Sequence, residues 1–429
     1  MTVSFFMRKV PAMKRKRAAR GPYHLRILAI LFAFSVFALN YSPPAAELRE
    51  LPGAYYAVSR EELVSKLGAS FTARGLAVTA DVSGDEKLAP GTVSCRLWGV
   101  VLKRVPAYVG ERATVVPGGQ AVGISIHTDG VLVVGTAAFK NAGGRSVSPA
   151  ADAGIKPGDV ILLVNGEAVS SSQELASAMD GSPLGAELTV LRDGEKRTFA
   201  VTPEESAEGG LRIGAWVRDS TVGIGTLSFY DPETDALAAL GHAVLDADTG
   251  SLLTVRDGEL VIANVLGVTK GRQGSPGELH GNFGSGSPKL GRVTENTGLG
   301  IFGMMYEGAE ELLSGAAVMT AFPDEVHTGP AVIVTSAFGE PEEYSCRIIK
   351  TGRQNEPAPK GLVIEITDER LIERTGGIVQ GMSGSPILQD GMLVGVVTHV
   401  FVSDPKKGYG AYAYWMYKLT GGQTWKRTG

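Results

Sequence analysis

The chain has 429 residues, a formal net charge of −4, 57 glycines, 7% aromatic residues and two cysteines. That length allows two or three domains with sizeable cores, and the acidic balance gives no electrostatic reason for a polyanion partner, so nucleic acid is not expected. Cys95 and Cys346, each preceded by Ser and followed by Arg, supply neither a disulfide framework nor a metal-ligand cluster. Both read as packing residues, a single disulfide between them stays open, no metal or cofactor is expected, and a cysteine-protease reading lacks a Cys–His pair.

The first segment, residues 1–46, is a basic leader followed by an apolar signal peptide or anchor. Arg8, Lys9, Lys14, Arg15, Lys16, Arg17, Arg20 and Arg26 precede the apolar run Ile27 to Leu39, with no acid among them. That run is short against the about 20 residues needed to span hydrocarbon, and Pro44-Ala45-Ala46 offers small residues for cleavage. A signal anchor spanning from Tyr23 to Tyr41, basic flank inside, is the alternative; on either reading the rest of the chain works outside the cytoplasm. Residues 47–115 hold a short helix from Arg60 to Leu67 and alternating segments such as Thr92 to Trp98, a stalk or small β region with no evident chemistry.

Residues 116–205 carry a distinctive succession. Ser148-Pro149 opens a short helix that Gly154 stops; Val160 to Val164 is a buried strand and Asn165-Gly166 a tight hairpin turn. Ser171 to Met179 is an amphipathic helix, followed by strands Glu187 to Leu191 and Arg197 to Val201 on either side of Asp193-Gly194. The run Ala153-Gly-Ile-Lys-Pro-Gly-Asp-Val-Ile-Leu-Leu-Val-Asn-Gly166 resembles a PDZ domain. The resemblance implies peptide binding by strand addition, with a loop of backbone N–H groups receiving a terminal carboxylate; the matching loop contains Val122, Gly123 and Ile124. A PDZ fold used as an internal spacer is the competing reading.

Residues 206–429 read as short apolar strands separated by Gly, Asp and Pro, a pattern suited to a pair of β-barrels. Within them, Gly381-Met-Ser-Gly-Ser-Pro386 places Ser383 between glycines that let the backbone turn sharply and aim successive N–H groups, those of Ser383 and Gly381, at one point where an oxyanion can sit. Asp390-Gly391 then predicts a type I′ hairpin. A serine nucleophile needs a base. His24 lies in the leader, His127 in the PDZ region, His280 in a Gly/Ser/Pro-rich loop and His327 in a polar turn. His242, in Leu240-Gly241-His242-Ala243, fits the role best, with His399 as the alternative base and a core histidine bonded to a backbone carbonyl as the competing reading. Asp368 is the candidate orienting carboxylate, although its position ahead of Glu-Arg-Leu-Ile-Glu-Arg374 equally suits a helix cap.

A PDZ segment first, then Leu-Gly-His-Ala and Gly-Gly-Ile-Val-Gln-Gly-Met-Ser-Gly-Ser-Pro, together with Arg212 to Thr226 and Thr398 to Pro405, make the chain resemble the SpoIVB peptidase family. The resemblance implies a mainly β chain: an N-terminal signal or anchor helix, a PDZ domain and a chymotrypsin-like double β-barrel. It also implies a catalytic triad of His242, Asp368 and Ser383. It further implies export from the forespore into the space between two membranes, cleavage of itself and of a membrane-bound regulator of an intramembrane metalloprotease, activation of a late sporulation sigma factor, and a secreted inhibitor protein. Met382 stands where digestive relatives of that barrel fold carry an acid, so control must lie in PDZ docking, self-cleavage within residues 47–115, or inhibition. Two other readings remain: a PDZ scaffold with an inactive peptidase domain, and a Ser/Lys dyad drawing on Lys350, Lys360, Lys406 or Lys407.

Overall fold

The computed structural model describes residues 53–71, 77–81, 91–97, 100–110, 112–284, 286–354 and 356–420, with single positions between 27 and 34. The basic leader and most of the apolar run expected to act as signal or anchor lie outside the described residues. Among those described, no helix is long and apolar enough to cross a membrane.

Twelve strands, numbered here in chain order, form two closed rings of six. The first ring consists of β1 (Ala121–Thr136), β2 (Ala215–Tyr230), β3 (Ala236–Ala239), β4 (Val255–Ile262), β5 (Lys289–Thr297) and β6 (Gly300–Met305). Antiparallel pairing runs β1–β4–β5–β6–β3–β2 and closes through β2–β1. The second consists of β7 (Gly329–Thr335), β8 (Glu342–Thr351), β9 (Leu362–Ile366), β10 (Pro386–Gln389), β11 (Met392–Phe401) and β12 (Asp404–Tyr412), ordered β7–β8–β9–β12–β11–β10 and closed by β10–β7. Period-two alternation makes each ring: in β9, Leu362, Ile364 and Ile366 face inward and the residues between them are less covered. Val122, Leu227, Leu237, Leu260 and Ile301 fill the first barrel, and Ile333, Ile348, Ile364, Ile387 and Val396 the second. Closure removes the open sheet edges that so strand-rich a chain would otherwise expose.

β1 and β2 are each 16 residues long, close to three times the ordinary length of about 5–6, because they serve two domains. Residues 121–128 of β1 belong to the first barrel; beyond a bend at Gly130 (φ +92°), Val131 and Leu132 pair with Ile161 and Val160 in the PDZ sheet. β2 follows β1 throughout, from Ala215 opposite Thr136 to Thr226 opposite Ala121. The PDZ module adds strands Val160–Val164, Ala186–Arg192 and Glu195–Val201 and the helix Ser172–Asp180, whose Leu175 and Met179 enter a core with Val131, Ile161 and Leu188. Buried Asp159 holds Arg192 through two hydrogen bonds of 2.5 and 2.6 Å, so its charge is compensated rather than stranded. The expected tight turns form: Asn165-Gly166, Asp193-Gly194 and Asp390-Gly391 all have positive φ at both positions, as type I′ turns require.

Strands Tyr55–Ala57, Ala77–Asp81, Gly91–Leu97 and Val100–Val109 make a separate four-stranded sheet, with the helix Arg60–Phe71 against it. This unit lies on the second barrel. Tyr56 stacks on Phe322 and meets Tyr414 edge-on at 5.0 Å, while Arg112 binds Glu325 with both nitrogens and covers the Phe322 ring at 4.6 Å.

Candidate functional site

His242 is presented by a sharp turn at the end of β3. Leu240 and Gly241 both have φ +73°; for leucine this left-handed conformation is strained, by about 1–3 kcal/mol, and such strain collects at functional sites. Gly241 is also tightly packed, since a Cβ there would lie 2.6 Å from Val396 Cγ2 and 3.0 Å from Thr398 Cγ2. The absence of a side chain therefore lets the His242 turn rest directly on β11 of the other barrel. The imidazole is partly buried, and its Nδ1 lies 2.9 Å from the Ala243 carbonyl oxygen. A carbonyl can only accept, so Nδ1 carries the hydrogen and Nε2 presents a lone pair, the tautomer a general base needs. Desolvation lowers the His242 pKa below the ordinary histidine value, against the smaller raising effect of the Ala243 bond. His399, on β11, places its ring 4.9 Å from that of His242; desolvation first, then the charges of His242 and Lys360, push its pKa down as well.

Ser383 sits in the turn before β10, between Gly381 (φ +94°) and Gly384 (φ +98°). Its hydroxyl donates to the Thr398 carbonyl at 2.8 Å. Thr398 is the same residue that Gly241 packs against, so the histidine turn and the serine turn converge on one point of β11. Among the described residues, the N–H groups of Gly381 and Ser383 donate to no protein acceptor, whereas neighbouring Met382 and Gly384 donate to Val379 and Val397. Two unengaged N–H groups, on either side of Met382 in one tight turn, are what an oxyanion hole requires.

Asp368 makes its hydrogen bonds elsewhere. It is the N-cap of the helix Glu369–Thr375, accepting from Arg370 N at 3.0 Å, from Arg370 Nε and Nη2 at 3.1 and 3.0 Å, and from Ser345 N at 3.3 Å. The Arg370 guanidinium above all, with these N–H groups, holds its carboxyl below the usual range. The structure thus brings His242 and Ser383 onto one residue and gives Asp368 the capping contacts that its local sequence suggested. Among the described residues, no lysine shares a hydrogen bond with Ser383; Lys407 pairs with Asp404 at 2.9 Å and Lys360 lies over Tyr409. His127, His280 and His327 pair with Asp257, Thr269 and Asp390 respectively. Cys346 is buried in the second barrel, its thiol pushed up to about 12 by desolvation.

Two residues outside the predicted set fix the His242 loop. Asn296 on β5 accepts from Val244 N at 2.9 Å and donates to the carbonyls of Val244 and Leu253 at 2.7 and 2.9 Å. Arg218 on β2 grips Asp246 and, at 2.8 Å, Asp248. Neither carries a local sequence signal, because each acts across some 30 or 50 residues.

The expected PDZ loop is corrected. Val122, Gly123 and Ile124 lie inside the first barrel with both strand edges used: Gly123 pairs with Ile224 on one side and Val261 on the other, and Val122 and Ile124 are buried. A doubly paired strand has no edge to offer a peptide. The PDZ sheet has two open edges, the strand Glu195–Val201, paired only with Ala186–Arg192, and residues 215–218 of β2, which pair only with β1; the second is the one whose strand contacts the helix Ser172–Asp180. That helix is tied to β2 by Ser172, whose N–H and hydroxyl donate to Asp219. The sequence misled because the loop-like Gly118-Gly119-Gln120 precedes a strand that the barrel claims first.

The family model for SpoIVB peptidase S55 matches residues 209–417 and that for the PDZ domain matches 124–202. A probable periplasmic serine endoprotease DegP-like of Pseudomonas savastanoi pv. phaseolicola is 30% identical over 139 residues, 29% of each chain; the chain thus spans less than a third of that relative's length. Among solved structures, the active form of the Rv3671c protease of M. tuberculosis aligns at 18% identity over 46% of this chain and 72% of its own, with a TM-score of 0.26. Its inactive form aligns at 15% identity over 46% and 81%, with a TM-score of 0.25. The chain thus carries a region matched by the SpoIVB peptidase S55 family over residues 209–417, preceded by a region matched by the PDZ domain over residues 124–202.

Proposed function

We propose that Ser383 and His242 are the nucleophile and general base of this peptidase. The observation that carries the proposal is their convergence on Thr398: the Ser383 hydroxyl is bonded to its carbonyl and the His242 turn packs on its side chain through Gly241. The mechanism requires the Ser383 hydroxyl to leave that carbonyl for the imidazole, by rotation about Cα–Cβ, a picosecond-to-nanosecond event for a side chain. Oγ then attacks the scissile carbonyl carbon as its proton passes to His242 Nε2, and the carbonyl oxygen becomes an oxyanion received by the N–H groups of Gly381 and Ser383. His242 returns the proton to the departing amine as the C–N bond breaks, and water, deprotonated by the same imidazole, releases the acyl group. In this arrangement the Ala243 carbonyl holds the imidazole in its working tautomer. An orienting role for Asp368 rests on the family resemblance and requires it to leave Arg370 and Ser345.

Peptide substrates dock, on this reading, along β2 at residues 215–218, where Trp216 is 66% exposed. Export is supported by the basic-then-apolar leader and by the periplasmic relative. The family resemblance supports the finer reading: action between forespore and mother-cell membranes on a membrane-bound regulator of an intramembrane metalloprotease and on the chain itself, under a secreted inhibitor, leading to sigma-factor activation. A fluorophosphonate probe tests the chemistry. Labelling should be lost in both Ser383→Ala and His242→Ala; labelling that persists in Ser383→Ala, or is absent from the wild type, removes the proposal and favours an inactive scaffold.

A further inference from the structure

We infer that Thr226, on β2, is a positioning residue that locks the nucleophile turn and the histidine turn into register. The inference rests on the peptidase reading above. Thr226 is almost wholly buried and belongs to neither turn, yet it binds both. Its N–H donates to the Ser383 carbonyl at 3.0 Å, its hydroxyl donates to the Gly381 carbonyl at 2.8 Å, and its own carbonyl accepts from Leu240 N at 3.3 Å, two residues before His242.

These bonds fall where the turn most needs them. Gly381 and Gly384 supply the sharp bend but, lacking Cβ, have little to hold their peptide planes in place. Thr226 pins the Gly381 and Ser383 carbonyls and so fixes the 381–382 and 383–384 peptide planes; the Ser383 N–H lies in the plane between these two, and the Gly381 N–H in the plane just ahead of the first, so both are oriented by fixed neighbours. Gly384 completes the contact: a Cβ there would collide with the Thr226 carbonyl and come within 2.6 Å of Leu240 N. The side-chain bond is the separable part, since valine matches threonine in shape and keeps both backbone bonds while losing the donor. Preorganised donors matter most when charge develops, so the loss should appear in the chemical step rather than in binding.

The test is the rate of fluorophosphonate labelling of the full exported chain, resolved into its maximal rate and its half-saturating probe concentration. For Thr226→Val the maximal rate should fall by about 10- to 100-fold, with half-saturation and the pH midpoint unchanged and the melting temperature close to wild type. Thr226→Ser, which restores the hydroxyl, should recover most of the rate. If valine disturbs packing, Thr226→Ala serves the same comparison without added bulk. A wild-type rate in the variants lacking the hydroxyl, or an equal loss in Thr226→Ser, overturns the inference while leaving the peptidase reading intact. A wild-type chain that does not label, or labelling that survives Ser383→Ala, instead removes that reading and this inference with it.

Discussion

The Ser383 hydroxyl donates to the carbonyl of Thr398, and the His242 turn leans on the same threonine through Gly241. The resting serine is therefore hydrogen-bonded to the same strand on which the turn of its proposed base packs. Replacing Ser383 by Ala gives up one hydrogen bond, about 0.5–1.5 kcal/mol of stability, but should lower peptide hydrolysis by about 10⁴- to 10⁶-fold. Circular dichroism and a fluorogenic peptide assay on the same preparation check both; hydrolysis near the wild-type rate would exclude Ser383 as nucleophile.

Much of this site could be read along the chain because its signals are local. Glycines 381 and 384 mark the nucleophile turn, and the small residues around His242 mark a crowded site, whereas the Leu240-Gly241 turn itself, with a leucine at positive φ, is seen only in the structure. Local signals also mark the Asn165-Gly166, Asp193-Gly194 and Asp390-Gly391 hairpins. What was illegible is long-range. Arg218, Thr226 and Asn296 act through strand registers that no local pattern encodes. Val122, Gly123 and Ile124 were misplaced because a barrel strand and a PDZ loop share the same composition, and pairing with β4, more than a hundred residues later, decides between them.

The pH dependence of activity follows from His242. Its pKa is lowered by desolvation, so activity should rise with pH through a midpoint below the model-peptide value of about 6.5 and then stay level. The same shift affects stability. The unfolded imidazole binds the proton more tightly than the folded one, so this group's contribution is fully present above the unfolded pKa and is lost as pH falls through the folded value. A labelling-rate profile from pH 4 to 9 (a span of assay conditions of about five units around that pKa) measures the midpoint. A midpoint well above the model value would mean that the imidazole is stabilised as a cation, contrary to its environment here.

Asp368 offers a clean separation of two roles. As an N-cap it is replaceable by asparagine, which caps equally well, whereas alanine should cost about 1 kcal/mol. The expected result is that Asp368→Asn stays within about tenfold of wild-type activity, because the tautomer of His242 is held by Ala243, and that Asp368→Ala mainly lowers the melting temperature. A fall of about 10⁴-fold in Asp368→Asn, the scale seen when a triad carboxylate is neutralised, would show that the carboxylate reaches His242 during turnover.

Gly241 and Gly166 share a positive φ, +73° and +85°, but not their surroundings. Nothing lies within 4 Å of a Cβ at Gly166, while one at Gly241 meets Val396 and Thr398. Gly166→Ala should therefore cost only the left-handed strain, about 1–2 kcal/mol, and leave the active site alone. Gly241→Ala should also displace the His242 turn from β11 and reduce labelling by about 100-fold, as misplacement of a reacting group by about 1 Å does. Equal effects of the two substitutions on labelling would mean that the contact with Thr398 does not position the base.

The corrected PDZ edge predicts where a bound peptide will register. A peptide that adds to β2 must satisfy N–H and C=O groups of residues 215–218, so hydrogen exchange there should slow on binding, while residues 121–128, already paired on both sides, should not change. Trp216, 66% exposed on this edge, should contribute contact area: with a peptide selected from a random library, Trp216→Ala should weaken binding by about tenfold or more, within the range for truncating an exposed aromatic anchor. Fluorophosphonate labelling of Ser383 should be unaffected, because Trp216 lies ten residues along β2 from Thr226. Val122→Ala should do the opposite, costing stability through a buried cavity with no specific loss of peptide affinity. Slowed exchange at residues 121–128 instead of 215–218 would return the docking site to the loop at Val122 and require β4 to detach from β1 before a peptide could bind.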